Sequence, residues 1–351
     1  MKTTITTRAF SFVNPNSQNY FWFLLYLWRN LDSKMQDIQK IKDYFLTEES
    51  LSDTVTKKSR AIHEDDEEKE FHQRMKSFNG LSAKEWASLS MNIWSDVSSP
   101  RNDFQKEHGA VYPVKLVERL LLMYSRELDN VFDPFLGIGS TIIGCQNLNR
   151  NCIGTELNPE FAQLAQQWLV ENSGIFQNTL NLKYLVVNDD CRNLDKYIAK
   201  NKISLTITSP PYADFIQKSV EDREKVHKTS LIKHSNNSTV KQYSDNEDDF
   251  GNLPYPEFIK QLKVVLSKNY EITKPGGYSC WVVKDHRDTK NKIPYIPFHS
   301  DLARAGEEVG WKFHDLIIWD QSKQRKLILL GYPSIFYTNQ NCSFIVVFRK
   351  S

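Results

Sequence analysis

The chain has 351 residues, of which 40% are hydrophobic, and its formal charge at pH 7 is +2. This length suffices for one large domain with a substantial core and an added segment. The near balance of charge excludes a globally basic protein, so any surface for nucleic acid must be a local patch. The five cysteines show no spacing typical of a metal site. We therefore expect reduced thiols, no bound metal and a cytoplasmic location.

The first ninety residues differ from the rest and are predicted to form a partly helical N-terminal extension, ahead of a domain over residues 91–351. An aromatic run at residues 20–28 is too short to span a bilayer, which takes about 20 residues. No small-residue cleavage site follows the run, so a packed element is favoured over a targeting signal and no membrane association is expected. Met35 is an alternative start of the chain.

From Val131 onward, apolar β-branched runs alternate with helical segments. The predicted strands end at Asp133 and cover residues 152–156, 184–188, 203–208, 278–283, 314–319 and 343–349. The predicted helices cover residues 141–148, 159–171, 256–270 and 299–309. Such alternation indicates an α/β fold with a doubly wound, mostly parallel sheet. No helix separates the last two strands, so an antiparallel C-terminal pair is expected at one edge.

A glycine-containing turn follows the first of these strands. Residues 133–141 read Asp-Pro-Phe-Leu-Gly-Ile-Gly-Ser-Thr and lead into a helix. Gly137 and Gly139 let the backbone approach a ligand, and the free N–H groups of a helix N-terminus attract a carboxylate. A nicotinamide site would need a third glycine where Ile142 stands, so a dinucleotide fingerprint is not met.

Polar side chains end four of the predicted strands, namely Asp133, Glu156, Asp190 and Ser209. Because the carboxyl ends of parallel strands meet at one edge of the sheet, we expect these side chains to share a ligand site. Glu156 is placed to accept hydrogen bonds from the hydroxyls of a ribose.

The strand at residues 203–208 runs directly into Ser209-Pro210-Pro211-Tyr212. The prolines stop the ladder and have no N–H to donate, which leaves carbonyl groups free to accept hydrogen bonds from a ligand. Ser209 adds a hydroxyl, and Tyr212 adds an aromatic face. This combination predicts a holder for a planar ring that carries an amino group.

These segments resemble the motifs of S-adenosylmethionine-dependent DNA amino-methyltransferases of the cytosine-N4 type, the modification enzymes of restriction systems. Residues 133–141 resemble motif I and residues 208–212 motif IV. Residues 106–113 resemble motif X, 154–159 motif II, 188–192 motif III and 274–278 motif VI. Adenine-N6 relatives usually carry Asp or Asn where this chain has Ser209, which favours cytosine.

The resemblance implies a Rossmann-like methyltransferase sheet, S-adenosyl-L-methionine as cofactor, and double-stranded DNA as substrate with a flipped-out cytosine methylated at N4. It implies catalytic roles for Ser209, Pro210, Pro211 and Tyr212. It also implies contacts with the cofactor for His108, Pro113, Asp133, Phe135, Gly137, Gly139, Ser140, Thr141, Glu156, Asp190 and Thr208. Asp189 is the alternative to Asp190 as the contact of the adenine.

Residues 213–251 form a polar insertion, which we predict to be a DNA-facing loop. Its Lys225, Lys228 and Lys233 are candidate phosphate contacts, as is Arg287 in a second basic segment at residues 284–292. A restriction endonuclease acting on the same site is the expected partner. Adenine-N6 methylation, DNA binding without methylation, and methylation of RNA or of a protein side-chain amide are open alternatives.

Overall fold

The computed structural model describes residues 38–47, 77–98, 112–172, 180–211, 249–288, 291–324 and 334–351. The chain divides into two compact units, residues 1–45 and 46–351. In the first unit only residues 38–45 are described, and they belong to a helix, α1 (residues 38–46). Within the described ranges, no helix is long and apolar enough to cross a membrane.

The second unit alternates helices with strands and contains the predicted ligand edge. Its helices are α2 (Ala83–Leu89), α3 (Val114–Tyr124), α4 (Ser140–Asn147), α5 (Pro159–Asn172), α6 (Tyr255–Ile272) and α7 (Phe298–Glu308). Its strands are β1 (Ile93–Trp94), β2 (Asn130–Asp133), β3 (Asn151–Thr155), β4 (Tyr184–Val187), β5 (Ile203–Thr208), β6 (Thr273–Val283), β7 (His286–Asp288), β8 (Ile293–Ile296), β9 (Lys312–Asp320) and β10 (Cys342–Arg349). Short 3-10 helices lie at Cys191–Lys196 and Phe250–Asn252.

Eight of these strands form one sheet in the order β1-β9-β10-β6-β5-β2-β3-β4. The strands from β6 to β4 in this order are parallel to their neighbours, whereas β10 is antiparallel to both β6 and β9. This topology confirms the predicted α/β class with a mostly parallel sheet and an antiparallel C-terminal pair. Strands β7 and β8 form a separate antiparallel hairpin.

Each strand and helix predicted from residue 131 onward is present, with small shifts at the ends. The largest shift is in β6, which begins at Thr273 rather than at residue 278. Ile203 pairs with Thr273 and Leu205 with Tyr278, so residues 274–277 bulge out of the ladder. An added Cβ at Gly277 would lie 2.9 Å from the carbonyl oxygen of Ser204, so the backbones approach too closely there for a side chain.

Helix α3, the short strand β1 and the hairpin of β7 and β8 were not predicted. Strand β1 pairs with β9 through Ile93 and Ile318 and through Trp94 and Trp319, which adds a strand outside the predicted C-terminal pair. The described residues before β1 contact α3, for example through the Asn79 side chain, which donates to the carbonyl of Met123 at 2.8 Å. The domain boundary at residue 90 stays a prediction.

Helices cover both faces of the sheet, because successive side chains of each strand point in opposite directions. In β6, Cys280 and Val282 face the apolar cluster that includes α3 and α4. Trp281 and Val283 face the cluster that includes α6 and α7. All four side chains are buried. The carboxyl ends of the parallel strands are thereby held between two packed layers.

A buried polar network joins β5, β6 and α6. The Thr206 hydroxyl donates to Asn269 Oδ1 at 2.9 Å, and Asn269 Nδ2 donates to Ser279 Oγ at 2.9 Å. The indole N–H of Trp281 donates to the same Ser279 oxygen at 2.8 Å. Asn269 has no exposed surface, so its amide is matched to fixed partners on two strands.

Candidate active site

Asp133 at the end of β2 is fully buried and accepts four hydrogen bonds. Oδ2 accepts from the hydroxyls of Tyr112 at 2.8 Å and Thr141 at 2.5 Å. Oδ1 accepts from the hydroxyl of Thr208 at 2.6 Å and from the backbone N–H of Phe135 at 3.0 Å. Burial raises the pKa of Asp133, although the hydrogen bonds from Thr141, Thr208 and Tyr112 act in the opposite direction.

This hub assigns a positioning role to Asp133. It joins Tyr112, two residues before α3, to the turn after β2, the first turn of α4 and the end of β5. Asp133, Thr141 and Thr208 have no exposed surface, and their side-chain oxygens already have protein partners. Contacts of these three residues with a cofactor stay predictions. Tyr112 lies in the segment that resembles motif X, but its hydrogen bond to Asp133 was not predicted. Tyr112 lies 21 positions before Asp133 in the sequence, and no local pattern links the two residues.

The turn between β2 and α4 exposes donors to the ligand edge. Gly137 and Gly139 have φ values of 56° and 95°, a left-handed conformation that favours glycine. No side chain caps the N-terminus of α4. The hydroxyl oxygen of Ser140 is buried and has no hydrogen-bond partner within the described part of the chain. An uncapped helix start and an orphaned hydroxyl both fit a carboxylate ligand.

Glu156, directly after β3, holds the turn from the other side. Its Oε2 accepts from the N–H of Gly137 at 2.7 Å, and its Oε1 accepts from the N–H of Asn158 at 2.8 Å. Burial and, to a smaller extent, the carboxylates of Asp133 and Asp249 raise the pKa of Glu156 to about 7, although the two backbone hydrogen bonds act in the opposite direction. Each oxygen retains a lone pair that could accept from a ligand hydroxyl.

The two candidate adenine contacts after β4 are both bonded within their own turn. Asp190 accepts from the backbone N–H of Arg192 at 2.7 Å and forms an ion pair with the guanidinium of the same residue. Asp189 accepts from the hydroxyl of Tyr197 at 2.5 Å and from Asn193 Nδ2 at 3.0 Å. Burial would raise the pKa of Asp189, but these hydrogen bonds outweigh it and lower the pKa. The assignment of Asp190 to the adenine stays a prediction.

Aromatic side chains line the edge beside the turn. The ring of Phe135 lies edge-on to Phe250, with 5.6 Å between centroids, and 6.3 Å from the ring of Trp281. Phe250 is buried, and the Asp249 carboxylate accepts from the N–H of Gly251 at 2.8 Å. The last three residues of the predicted DNA-facing segment are therefore buried in the domain. The apolar pair Phe250 and Leu253 was the sequence signal for this packing.

Strand β5 ends in the predicted acceptor turn. Pro210 is buried, whereas Ser209 and Pro211 are partly exposed. Within the described ranges, neither the Ser209 hydroxyl nor the Pro210 carbonyl has a hydrogen-bond partner. Two acceptors are thus available next to Thr208, whose own hydroxyl is bonded to Asp133.

The remaining predicted residues fall into two groups. Pro113 precedes α3, where its carbonyl accepts from the N–H of Leu116 at 2.9 Å, and Arg287 lies in β7. The others lie outside the described residues: His108, Tyr212, Lys225, Lys228 and Lys233.

The sequence matches the DNA methylase family of N6 and N4 methyltransferases over residues 16–167 and 203–351, which is most of the chain. The chain belongs to this DNA methylase family. S-adenosylmethionine is the cofactor of this methyltransferase. The uncapped start of α4, the orphaned Ser140 hydroxyl and the acceptor capacity of Glu156 fit the carboxylate and ribose of that molecule.

Several type II methyltransferases resemble this DNA methylase over shorter segments. M.BglI of Bacillus subtilis is 38% identical over 90 residues, which cover 25% of each chain. M.SmaI of Serratia marcescens is 39% identical over 75 residues, which cover 21% of this chain and 25% of that protein. The matched segments thus span about a quarter of the length of these curated relatives.

Solved structures resemble the DNA methylase only weakly. TrmN from Thermus thermophilus has a TM-score of 0.41 at 13% identity and covers 71% of this chain and 52% of its own. A SAM-dependent methyltransferase from Methanosarcina mazei has a TM-score of 0.39 at 12% identity, with 68% of this chain and 98% of its own covered.

Proposed function

We propose that this DNA methylase is a site-specific DNA methyltransferase that transfers a methyl group from S-adenosylmethionine to N4 of a flipped-out cytosine. The hydrogen bond between Thr208 and Asp133 carries the proposal. It joins the acceptor turn after β5 to the cofactor turn after β2 at 2.6 Å, within the buried edge of the sheet. A methyl donor and an amine held at these two turns would be neighbours.

The acceptor turn suits an exocyclic amine. The cytosine amine is a poor nucleophile, because its lone pair is delocalised into the ring. The Ser209 oxygen and the Pro210 carbonyl would accept hydrogen bonds from the two N4 hydrogens and draw the nitrogen towards a tetrahedral geometry. Acceptors fixed in advance at a buried strand end stabilise such a transition state without reorganisation.

S-adenosylmethionine supplies an electrophilic methyl group on a sulfonium. The residues proposed to hold the cofactor are Ser140 and the first N–H groups of α4 for its carboxylate, Glu156 for its ribose, and Asp190 for its adenine amine. Phe135 would pack against the cofactor, and Asp133 would hold the turn in place. After transfer, the amine would release a proton to solvent, because an unassisted serine hydroxyl is a weak base.

Ser209 favours cytosine over adenine in this proposal, since it stands where adenine-N6 relatives usually carry Asp or Asn. A base inside a duplex cannot reach a pocket at a strand end, so the target would be extruded from the helix. Similarity to type II methyltransferases further suggests a cytoplasmic restriction–modification system with a nuclease that reads the same site.

Nucleoside mass spectrometry tests the reaction. DNA from cells that express the protein should contain N4-methylcytosine, and DNA from cells that express Ser209→Ala should contain much less. N6-methyladenine as the only new base would contradict the cytosine assignment and retain the enzyme class. Unmodified DNA, together with methylated RNA or protein, would overturn the DNA substrate.

A further inference from the structure

The hairpin of β7 and β8 forms a continuous surface with the segment that leads into β10. We call this surface the ledge and define it as residues 284–288, 291–296 and 334–341. Lys284 Nζ donates to the carbonyl of Gln340 at 2.9 Å, and Arg287 Nη2 donates to the hydroxyl of Thr338 at 3.4 Å. These contacts hold the hairpin against the second segment.

Arg287 is a cation held in place without a counter-ion on the ledge. Its guanidinium carbon lies 5.0 Å from the ring centre of Tyr337 and 5.9 Å from that of Tyr295. Its Nε is buried and has no hydrogen-bond partner among the described residues. Within the same ranges, no carboxylate lies at ion-pair distance from it. The charge is therefore fixed by two rings and available to an anion.

The carboxylates of the hairpin face inward instead. Asp285 is 2% exposed, and it accepts from the hydroxyl of Tyr295 at 2.6 Å and from His299 Nδ1 at 2.8 Å. Asp288 is 5% exposed and accepts from Asn291 Nδ2 at 2.7 Å. Burying both acids leaves a surface that is positive and aromatic.

Large apolar side chains are exposed on the same ledge. Phe336 is 78% exposed, Ile335 51%, Tyr295 45% and Ile293 42%. A concentration of exposed apolar groups around a cation is typical of a binding surface. Flat rings beside an arginine are the groups that contact nucleobases and phosphates.

The ledge borders the acceptor turn. In the sheet, Thr208 is opposite Trp281 of β6, and Val283 is opposite Phe344 of β10. Ser209 to Pro211 therefore follow β5 at the edge where β6 enters the hairpin and where the chain from residue 341 enters β10. DNA that delivers a base to the acceptor turn would pass over this edge.

We propose that the ledge binds duplex DNA beside the extruded base. Arg287 contacts a backbone phosphate, and the exposed rings of Phe336 and Tyr295 lie against the base stack at the gap that extrusion leaves. This inference rests on the proposed DNA substrate and adds the aromatic contacts that make the complex competent for base extrusion.

The test compares ledge variants with controls at the opposite edge of the sheet. Fluorescence anisotropy measures the binding of a 30-base-pair duplex of mixed sequence at several salt concentrations. Phe336→Ala should weaken binding about tenfold, as expected for the loss of one stacked ring. Arg287→Gln should weaken binding and flatten the plot of log affinity against log salt by about 0.9, the value for one lost phosphate contact.

Phe313→Ala and Lys312→Gln are the matched controls. Phe313 is 42% exposed, and both residues begin β9, at the amino edge of the sheet. Both controls should bind the duplex like the wild type. Thermal unfolding and calorimetry with S-adenosylmethionine verify that each variant is folded. If Arg287→Gln did not fold, Phe336→Ala alone would decide, because that ring is mostly exposed.

Equal affinities of ledge and control variants would overturn the proposal that the ledge binds DNA. A wild-type protein that binds no duplex would overturn it as well. Wild-type methylation of DNA together with unaffected ledge variants would leave the proposed function standing. Duplex binding that depends on Phe336 and Arg287, in a protein that methylates no DNA, would support the ledge and contradict the proposed function.

Discussion

At the residue scale, Glu156 is a side chain whose charge changes near neutral pH. Burial raises its pKa to about 7, with Asp133 and Asp249 adding to the effect. The ionised form accepts hydrogen bonds from a ribose better than the acid does. Calorimetric affinity for S-adenosylmethionine should therefore rise about tenfold between pH 6 and pH 8, following the ionised fraction. Glu156→Gln should bind more weakly and without that pH dependence.

The same pKa shift predicts that the stability of the fold falls as pH rises, whereas the cofactor affinity rises. The folded-state pKa is about 7 and the ordinary value is 4.5, so between these pH values the folded protein binds more protons than the unfolded chain. The contribution of Glu156 to stability therefore falls as pH rises from 4.5 to 7. The melting temperature of Glu156→Gln minus that of wild type should therefore be larger at pH 8 than at pH 5. A difference in melting temperature that is constant across this range would contradict the shift.

Ser209→Ala tests the acceptor turn after β5 independently of the cofactor turn after β2. We expect turnover at saturating cofactor to fall by about tenfold or more, because the hydroxyl contact strengthens as the amine becomes tetrahedral. Affinity for S-adenosylmethionine should not change, since its proposed contacts lie on the other strand ends. Steady-state kinetics and calorimetry measure the two quantities. An equal loss in both would place Ser209 in the cofactor site.

Residue patterns predicted the strand-end positions but not their partners. Asp133, Glu156 and Ser209 each follow an apolar run, so the period of the strand locates them. Tyr112 could not be found in this way, because it reaches Asp133 from a different segment. The pairing of Asp190 with Arg192 was also unforeseen, since either acid of the Asp-Asp pair could have formed it.

At the scale of elements, Asn269 is expected to be costly to remove. Its amide joins α6 to Thr206 of β5 and Ser279 of β6, and it has no exposed surface. Asn269→Ala should lower the free energy of unfolding by about 2–4 kcal/mol, because buried partners lose their hydrogen bonds. Lys268 is the neighbour of Asn269 on α6, and Lys268→Ala removes a solvent-accessible ion pair with Asp195 of the 3-10 helix at Cys191–Lys196. This variant should stay within about 0.5 kcal/mol of wild type. Urea unfolding compares the two.

Gly306 tests the contact of α7 with the sheet. An added Cβ would lie 2.5 Å from a ring carbon of Phe348, which is fully buried. Alanine favours a helix over glycine by about 1 kcal/mol, but the overlap costs about 1–3 kcal/mol. We expect Gly306→Ala to be destabilised in urea unfolding. A gain in stability would mean that the ring can move aside.

Long periodic elements were predictable, and short irregular ones were not. Helix α6 and strand β5 have clear apolar periods and were found with ends within two residues. Strand β1 has two residues, and each strand of the β7 and β8 hairpin has three or four, which is too few for a period to be read. Their formation depends on pairing with distant strands or on side chains such as Asp285.

At the scale of the whole molecule, the formal charge of +2 leaves DNA affinity to local groups of cations. Replacing Lys225, Lys228 and Lys233 together with alanine should weaken DNA binding and flatten its salt dependence by about 0.9 for each lost phosphate contact. Affinity for S-adenosylmethionine should remain as in wild type. Anisotropy at several salt concentrations measures the slope. An unchanged slope would limit the recognition surface to other basic segments, among them the ledge.

Strand β1 also has a consequence for synthesis of the protein. The indole N–H of Trp319, in its partner strand β9, donates to the carbonyl of Val97 at 3.0 Å across 222 residues of chain. At roughly 5–20 residues per second, a ribosome takes about 10–45 s to add that stretch. During this interval Trp94, which has no exposed surface in the finished domain, has no strand to pair with. The nascent chain therefore exposes this aromatic segment until β9 emerges, and a chaperone would have most to bind during that interval.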